Sequence, residues 1–133
     1  MLKIVDDYNN NGELTITDSG DKLKFSIKEH NKASNEMDIK LGLNNLKKLH
    51  ENLSAAVEMS EEDFSKLSGE SYVLNKKKKF LEVEFCEINY GFVIGVLGMF
   101  GQSDWVVISV LQEEMEDIVK ELERKIKELE EEL

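Results

Sequence analysis

The pattern of hydrophobic and polar positions changes its period in the same way at two places in the chain. In residues 36–53 and again in residues 104–122, apolar residues first alternate with polar ones and then recur every three or four positions. Alternation predicts a half-buried strand, and the wider spacing predicts an amphipathic helix. The sequence therefore predicts two strands that each lead directly into a helix, and at the second transition no Gly or Pro intervenes.

The apolar pattern as a whole repeats at an offset of 69 residues. Twelve apolar positions keep one register through strands and helix, although the residue types mostly differ, and such a shared template is typical of a duplicated fold. We interpret residues 1–133 as a single domain made of two repeats, 1–64 and 70–133, with a short connector at 65–69. The matched pairs are Leu14–Val83, Ile16–Phe85, Leu23–Phe92, Phe25–Ile94, Ile27–Val96, Met37–Val106, Ile39–Ile108, Leu41–Val110, Leu46–Met115, Leu49–Ile118, Leu53–Leu122 and Val57–Ile126.

Each repeat is predicted to contain four strands followed by one helix. The segment TDSGD has the residues of a hairpin turn and separates two alternating segments, so neighbouring strands are expected to be antiparallel. The predicted fold class is α+β, with two tandem ββββα units, pseudo-twofold symmetry and helices packed on one sheet face. We expect each helix to cover the inner face of its own hairpins. Whether the two sheets join edge to edge or stack is left open.

The two repeats agree on the inner sheet face and differ on the outer one. Charged and polar residues of the first repeat are replaced by apolar ones in the second, for example Lys24 by Val93 and Glu36 by Trp105. A contiguous exposed apolar patch is typical of an interaction surface. We predict a partner-binding patch with five apolar anchors and three nearby charges, namely Trp105, Phe100, Met99, Val93, Leu97, Asp104, Glu82 and Glu84.

Three explanations of this patch remain open at this point. The short helix around Phe64 and Leu67, or the end of the long C-terminal helix, could fold over it. Alternatively, the patch could bind a second copy of the chain to form a homodimer, or it could bind a foreign partner or ligand. The C-terminal segment KIKELEEEL is open in the same way, because it could cover the first repeat, pair with another copy or fray.

The charge balance predicts which partners the chain avoids. The chain has 28 acidic and 17 basic residues, a net charge of −11 and a pI near 4.7. Because Lys and Arg drive nucleic-acid binding by neutralising phosphates, this balance predicts no nucleic-acid partner. It favours a basic protein partner, although acidity can also serve solubility alone.

Other sequence features predict a cytoplasmic protein without a membrane partner. Cys86 is the single cysteine, so no internal disulfide can form. The N-terminus lacks the apolar stretch of a signal peptide, and the longest apolar run, FVIGVLGMF, is too short to span a bilayer.

No pattern in the sequence indicates catalysis. His30 and His50 lack Cys or His partners at metal-ligand spacing, and Cys86 lies beside glutamates, which disfavour a reactive thiolate. The lysine run at 76–79 is expected to form a solvated loop or to protect a sheet edge. We therefore predict a non-enzymatic protein with no catalytic residues, no metal and no cofactor.

The strands LEVEF and FVIGVL, the strand that opens at Trp105 and the helix that begins QEEMEDIV together resemble small acidic immunity proteins of bacterial polymorphic-toxin and contact-dependent inhibition systems. The resemblance implies a cytoplasmic inhibitor that binds a basic, nuclease-like toxin or effector domain. Two alternatives stay open: an acidic secretion-type chaperone, and a small-ligand-binding domain with a pocket lined by Phe25, Phe92 and Trp105.

Overall fold

The structure is a computed structural model and describes residues 1–6, 12–30, 35–76, 78–87, 89–97 and 103–132. The predicted anchors Met99 and Phe100 therefore lie outside the described residues. The elements are β1 Leu2–Val5, β2 Gly12–Ser19, β3 Lys22–Glu29, β4 Asn35–Leu41, α1 Leu43–Val57, α2 Glu61–Ser65, β5 Ser71–Lys76, β6 Lys79–Phe85, β7 Asn89–Leu97, β8 Ser103–Leu111 and α3 Gln112–Glu131.

The strands form two separate four-stranded antiparallel sheets with the orders β1-β2-β3-β4 and β5-β6-β7-β8. A helix follows each sheet directly, since α1 begins at Leu43 and α3 at Gln112. This arrangement confirms the predicted α+β class and the two ββββα units. Consecutive strands pair as hairpins throughout, so each sheet is built from contacts that are local in sequence.

Elements of the two units correspond at the predicted offset. β1 and β5 begin 69 residues apart, as do α1 and α3. In nine of the twelve matched pairs both residues are buried, which shows why the apolar template is kept although the residue types are not. The nine pairs are Leu14–Val83, Ile16–Phe85, Leu23–Phe92, Phe25–Ile94, Ile39–Ile108, Leu41–Val110, Leu46–Met115, Leu49–Ile118 and Leu53–Leu122.

The core lies between the inner sheet faces and the helices. At its centre the rings of Phe25 and Phe92 stack with centroids 6.0 Å apart. The helices α1 and α3 pack against each other; α1 also contacts β5 of the second sheet, and α3 contacts β1 of the first. Each helix therefore contacts the other unit as well as its own strands, because one unit alone offers too little surface to bury a helix stripe.

The C-terminal half of α3 covers the first unit, which resolves one of the alternatives left open by the sequence. Lys125 is 2% exposed, and its ammonium donates to the carbonyl of Gly20 at 2.8 Å in the β2–β3 turn. Arg124 forms an ion pair with Asp18 at 2.8 Å, and this guanidinium is the main reason that the pKa of Asp18 lies below its usual value.

Two buried carboxylates of the first unit complete the edge of the second sheet. The backbone N–H of Val107 donates to Glu29 Oε1, and that of Ser109 donates to Asp6 Oδ2, both at 2.9 Å. Both N–H groups belong to β8, the last strand in its sheet. Asp6 is 1% exposed and Glu29 9%. Their carboxylates therefore accept, inside the protein, the N–H groups that a further strand would otherwise accept at this edge.

Candidate functional site

The outer face of the second sheet carries the patch that the sequence predicts. Trp105 is 53% exposed and Leu97 52%, while Val93 on the same face is only 5% exposed. Phe64 of α2 lies on the other side, where its ring contacts Tyr90 at 5.1 Å. Within the residues that the structure describes, neither α2 nor α3 therefore covers Trp105.

Glycines in β7 shape this face. In the strand register Gly95 stands between Phe80 and Trp105, and Gly91 stands beside Glu84. A Cβ at Gly95 would collide with the Phe80 ring, and one at Gly91 would lie 3.2 Å from Glu84 Oε2. The side chains of β6 therefore lie across β7, which a larger residue at either position would prevent.

The result is a cavity of about 370 Å³, which we call the aromatic groove. Its lining combines two aromatic rings, two valines and two carboxylates from strands β6, β7 and β8. The lining residues are Phe80, Glu82, Glu84, Val93, Trp105 and Val107.

The two glutamates of the groove interact with each other. Burial raises the pKa of Glu82 above its usual value, and a hydrogen bond with Glu84 together with the charge of Glu84 raises it further. In the strand register Glu82 stands opposite Val73 and Val93, which accounts for its loss of solvent. Asp104, the third predicted charge, is exposed beside Trp105.

Lysines also lie on the outer face of the first sheet and at the start of β6. On the outer face of the first sheet, Lys24 stands directly opposite Lys40, although like charges in such positions repel. Lys79, which precedes Phe80, donates to the carbonyl of Asp38 at 3.2 Å and joins the start of β6 to β4. We call this set the lysine belt, and it consists of Lys22, Lys24, Lys40, Lys78 and Lys79.

The negative charge of the chain is concentrated away from these strands. The helix-bearing segments 43–70 and 112–133 hold 16 acidic and seven basic residues, a net charge of −9. The strand-bearing segments 1–42 and 71–111 hold 12 and ten, a net charge of −2. The whole-chain value of −11 therefore describes the helical layer and not the outer sheet faces.

The groove brings together Trp105, Val93, Glu82 and Glu84 from the predicted patch, whereas Leu97 and Asp104 are exposed and are not among its lining residues. Sequence reasoning missed Phe80, and it predicted a solvated loop or edge protection for the lysine run at 76–79 without linking it to Lys24 and Lys40. Phe80 directly precedes an alternating strand and has the polar Asn11 as its counterpart, so the same comparison of outer faces could have found it.

Other predicted sites are placed elsewhere. Phe25 and Phe92 are fully buried in the core and Trp105 lies on the opposite face, so the predicted ligand pocket between them does not exist. His50 bonds Glu123 at 3.0 Å across a helix–helix cleft of about 570 Å³, where Lys47 also pairs with Glu130.

In the described part of the chain, no group of three His, Cys, Asp or Glu residues could hold a metal ion. Nor is any helix there long and apolar enough to cross a membrane.

Comparison with known proteins gives structural similarity only. No family model matches the chain, and no curated protein matches it. The crystal structure of WHY3 from Arabidopsis thaliana is similar with a TM-score of 0.62 and 13% identity, over 96% of this chain and 86% of that one. The plant transcriptional regulator PBF-2 is similar with a TM-score of 0.58 and 13% identity, over 94% and 79%. These similarities show a shared fold.

The comparisons overturn the predicted function and partner. The prediction of an immunity protein that neutralises a basic toxin domain and binds no nucleic acid is wrong, because the structures that share this fold include a transcriptional regulator. The error has a physical source. A net charge summed over the chain was applied to every surface, whereas the acidic residues are concentrated in the helical segments.

Proposed function

We propose that this protein binds single-stranded DNA through the aromatic groove and the lysine belt, without catalysis. The observation that carries the proposal is Trp105, which is 53% exposed on a sheet face and stands in one row with Phe80. Proteins that bind single strands combine aromatic stacking platforms with a basic path for the backbone. The shared fold with a transcriptional regulator supports a DNA ligand.

The placement of the helices supports a single strand over a duplex. Duplex DNA is commonly read by a helix that enters the major groove. Here α1 and α3 pack against each other and against the strands, and their segments carry the net charge of −9. An exposed aromatic residue on a sheet suits unpaired bases, because only these offer a free face for stacking.

The order of side chains suggests a path for the strand. Phe80 and Trp105 are separated by one β7 residue, so their backbones lie about 10 Å apart at the usual strand spacing. Bases would stack on these two rings. The phosphates would follow the lysine belt, from Lys79 to Lys40 and Lys24.

The test uses Trp105 itself, since it is the single tryptophan of the chain. Titration with a labelled single-stranded oligonucleotide should raise the anisotropy of the label and quench the tryptophan fluorescence. Trp105→Ala should weaken binding by about 1–3 kcal/mol, the range for one base stacked on an aromatic ring.

Leu111→Ala is the matched control, because Leu111 is 42% exposed at the far end of the same strand. It should leave the affinity unchanged. A wild-type protein that neither raises the anisotropy nor loses fluorescence would refute the proposal, as would equal losses in the two variants.

A second test addresses the belt. Replacing Lys24 and Lys40 with Gln should weaken binding and make it less sensitive to salt, because two phosphate contacts are lost. Replacing Lys120 and Lys127 with Gln removes the same charge from exposed positions of α3. If the α3 pair weakens binding as much as the belt pair, net charge is responsible and the belt is not the contact surface.

A further inference from the structure

The carboxylates of the aromatic groove are not explained by stacking or by phosphate contacts. Glu82 and Glu84 follow Phe80 on the outer face of β6, at steps of about 7 Å along the strand. They line the same cavity as Trp105. A phosphate would be repelled there, so the sugar–phosphate backbone is kept on the lysine side and a base edge faces the glutamates.

The chemistry of these side chains discriminates between base edges. An ionised carboxylate offers only acceptors, and a base with an exocyclic amino group offers the matching donor. Cytosine has an amino group at C4, where thymine has a carbonyl oxygen. A carboxylate therefore attracts the cytosine edge and repels the thymine edge, while the two pyrimidine rings offer similar faces for stacking.

We propose that Glu82 and Glu84 make the aromatic groove a base-reading site that prefers cytosine to thymine in single-stranded DNA. This inference rests on the proposed function and adds to it the class of base. The glutamates act at the edges of bases that stack on Trp105 and Phe80. Glu84 lies over Gly91, where no side chain displaces it.

The experiment compares oligo(dC) and oligo(dT) of equal length, about 15 nucleotides, at pH 8 and one fixed salt concentration. Anisotropy of an end label gives the affinity for each. The wild-type protein should bind oligo(dC) roughly five- to tenfold more tightly, which is the lower part of the range for discrimination by one base contact. Replacing both Glu82 and Glu84 with Gln should bring the ratio close to one and strengthen binding to oligo(dT), since an amide can also donate to the thymine oxygen.

The control replaces Glu113 and Glu116 with Gln, which removes two negative charges from exposed positions at the start of α3. It should leave the ratio of affinities at the wild-type value. A control that lowers the ratio as much as the groove variant overturns the proposal, because charge alone would then explain the effect.

Failure of this inference differs from failure of the proposed function. If neither oligonucleotide binds, the proposed function fails and the base preference fails with it. If both bind equally and Trp105→Ala weakens both, the DNA-binding function stands and base reading by the glutamates is refuted.

Discussion

Removing the carboxylates that complete the edge of β8 should destabilise the protein although neither belongs to the proposed binding surface. Asp6 and Glu29 accept the backbone N–H groups of Ser109 and Val107. Alanine at either position leaves a buried donor without its partner, and such a loss costs about 1–3 kcal/mol. Asp6 is 1% exposed and Glu29 9%, so in Glu29→Ala water can reach the freed N–H group more easily than in Asp6→Ala. We therefore expect about 2–3 kcal/mol for Asp6→Ala and about 1–2 kcal/mol for Glu29→Ala.

Urea unfolding followed by circular dichroism measures both losses. A slope of about 2 kcal/mol per molar urea converts a loss of 2 kcal/mol into a midpoint shift of about 1 M. Glu29→Gln keeps an acceptor oxygen and should lose less than about 1 kcal/mol. Glu36→Ala removes an exposed carboxylate from the neighbouring strand and should stay within about 0.5 kcal/mol of wild type. An Asp6→Ala variant as stable as the Glu36→Ala control would refute the reasoning.

Three further predictions concern the core and the groove. Lys125→Ala should lower the free energy of unfolding by about 1–2 kcal/mol in urea titration, because the hydrogen bond from the buried ammonium to Gly20 is lost. Asp18 loses its ion pair with Lys125 but keeps the one with Arg124. Gly95→Ala should cost about 1–3 kcal/mol in the same assay and weaken binding of oligonucleotides, since the new methyl group displaces the Phe80 ring. Burial raises the pKa of Tyr90 to about 12, so the free energy of unfolding that Tyr90 contributes should be fully present below pH 10 and should be lost as pH rises from 10 to 12. Tyr90→Phe should remove that part of the loss in alkaline unfolding curves.

The inner faces could be predicted from the sequence because burial acts on every second residue of a strand and leaves a repeating trace. The stretch from Leu23 to Ile27 shows this clearly, and at the matched positions Phe92 and Ile94 are buried as well. The contacts of Asp6 and Glu29 left no such trace. A buried carboxylate looks like a solvated one in sequence, and only the approach of β8 from the other unit explains its burial.

The outer face was predictable in part. The replacement of Glu36 by Trp105 at the matched position located the patch, because a duplicated fold separates what both copies need from what one copy adds. The lysine belt could not be recognised from single positions. Lys40 and Lys79 are far apart in sequence, and in the fold the bond from Lys79 to the Asp38 carbonyl joins their strands β6 and β4.

The separation of charge between helices and sheets gives salt two opposing effects on DNA binding. At about 0.01 M salt the screening length is roughly 30 Å, so the acidic helices still repel a DNA strand that lies on the far side of the sheets. At about 0.1 M the screening length falls to roughly 10 Å, so the repulsion from the helices is screened while the lysines remain in contact with phosphate. Affinity should therefore rise with added salt before counterion competition lowers it, and a basic DNA-binding protein should show only the fall.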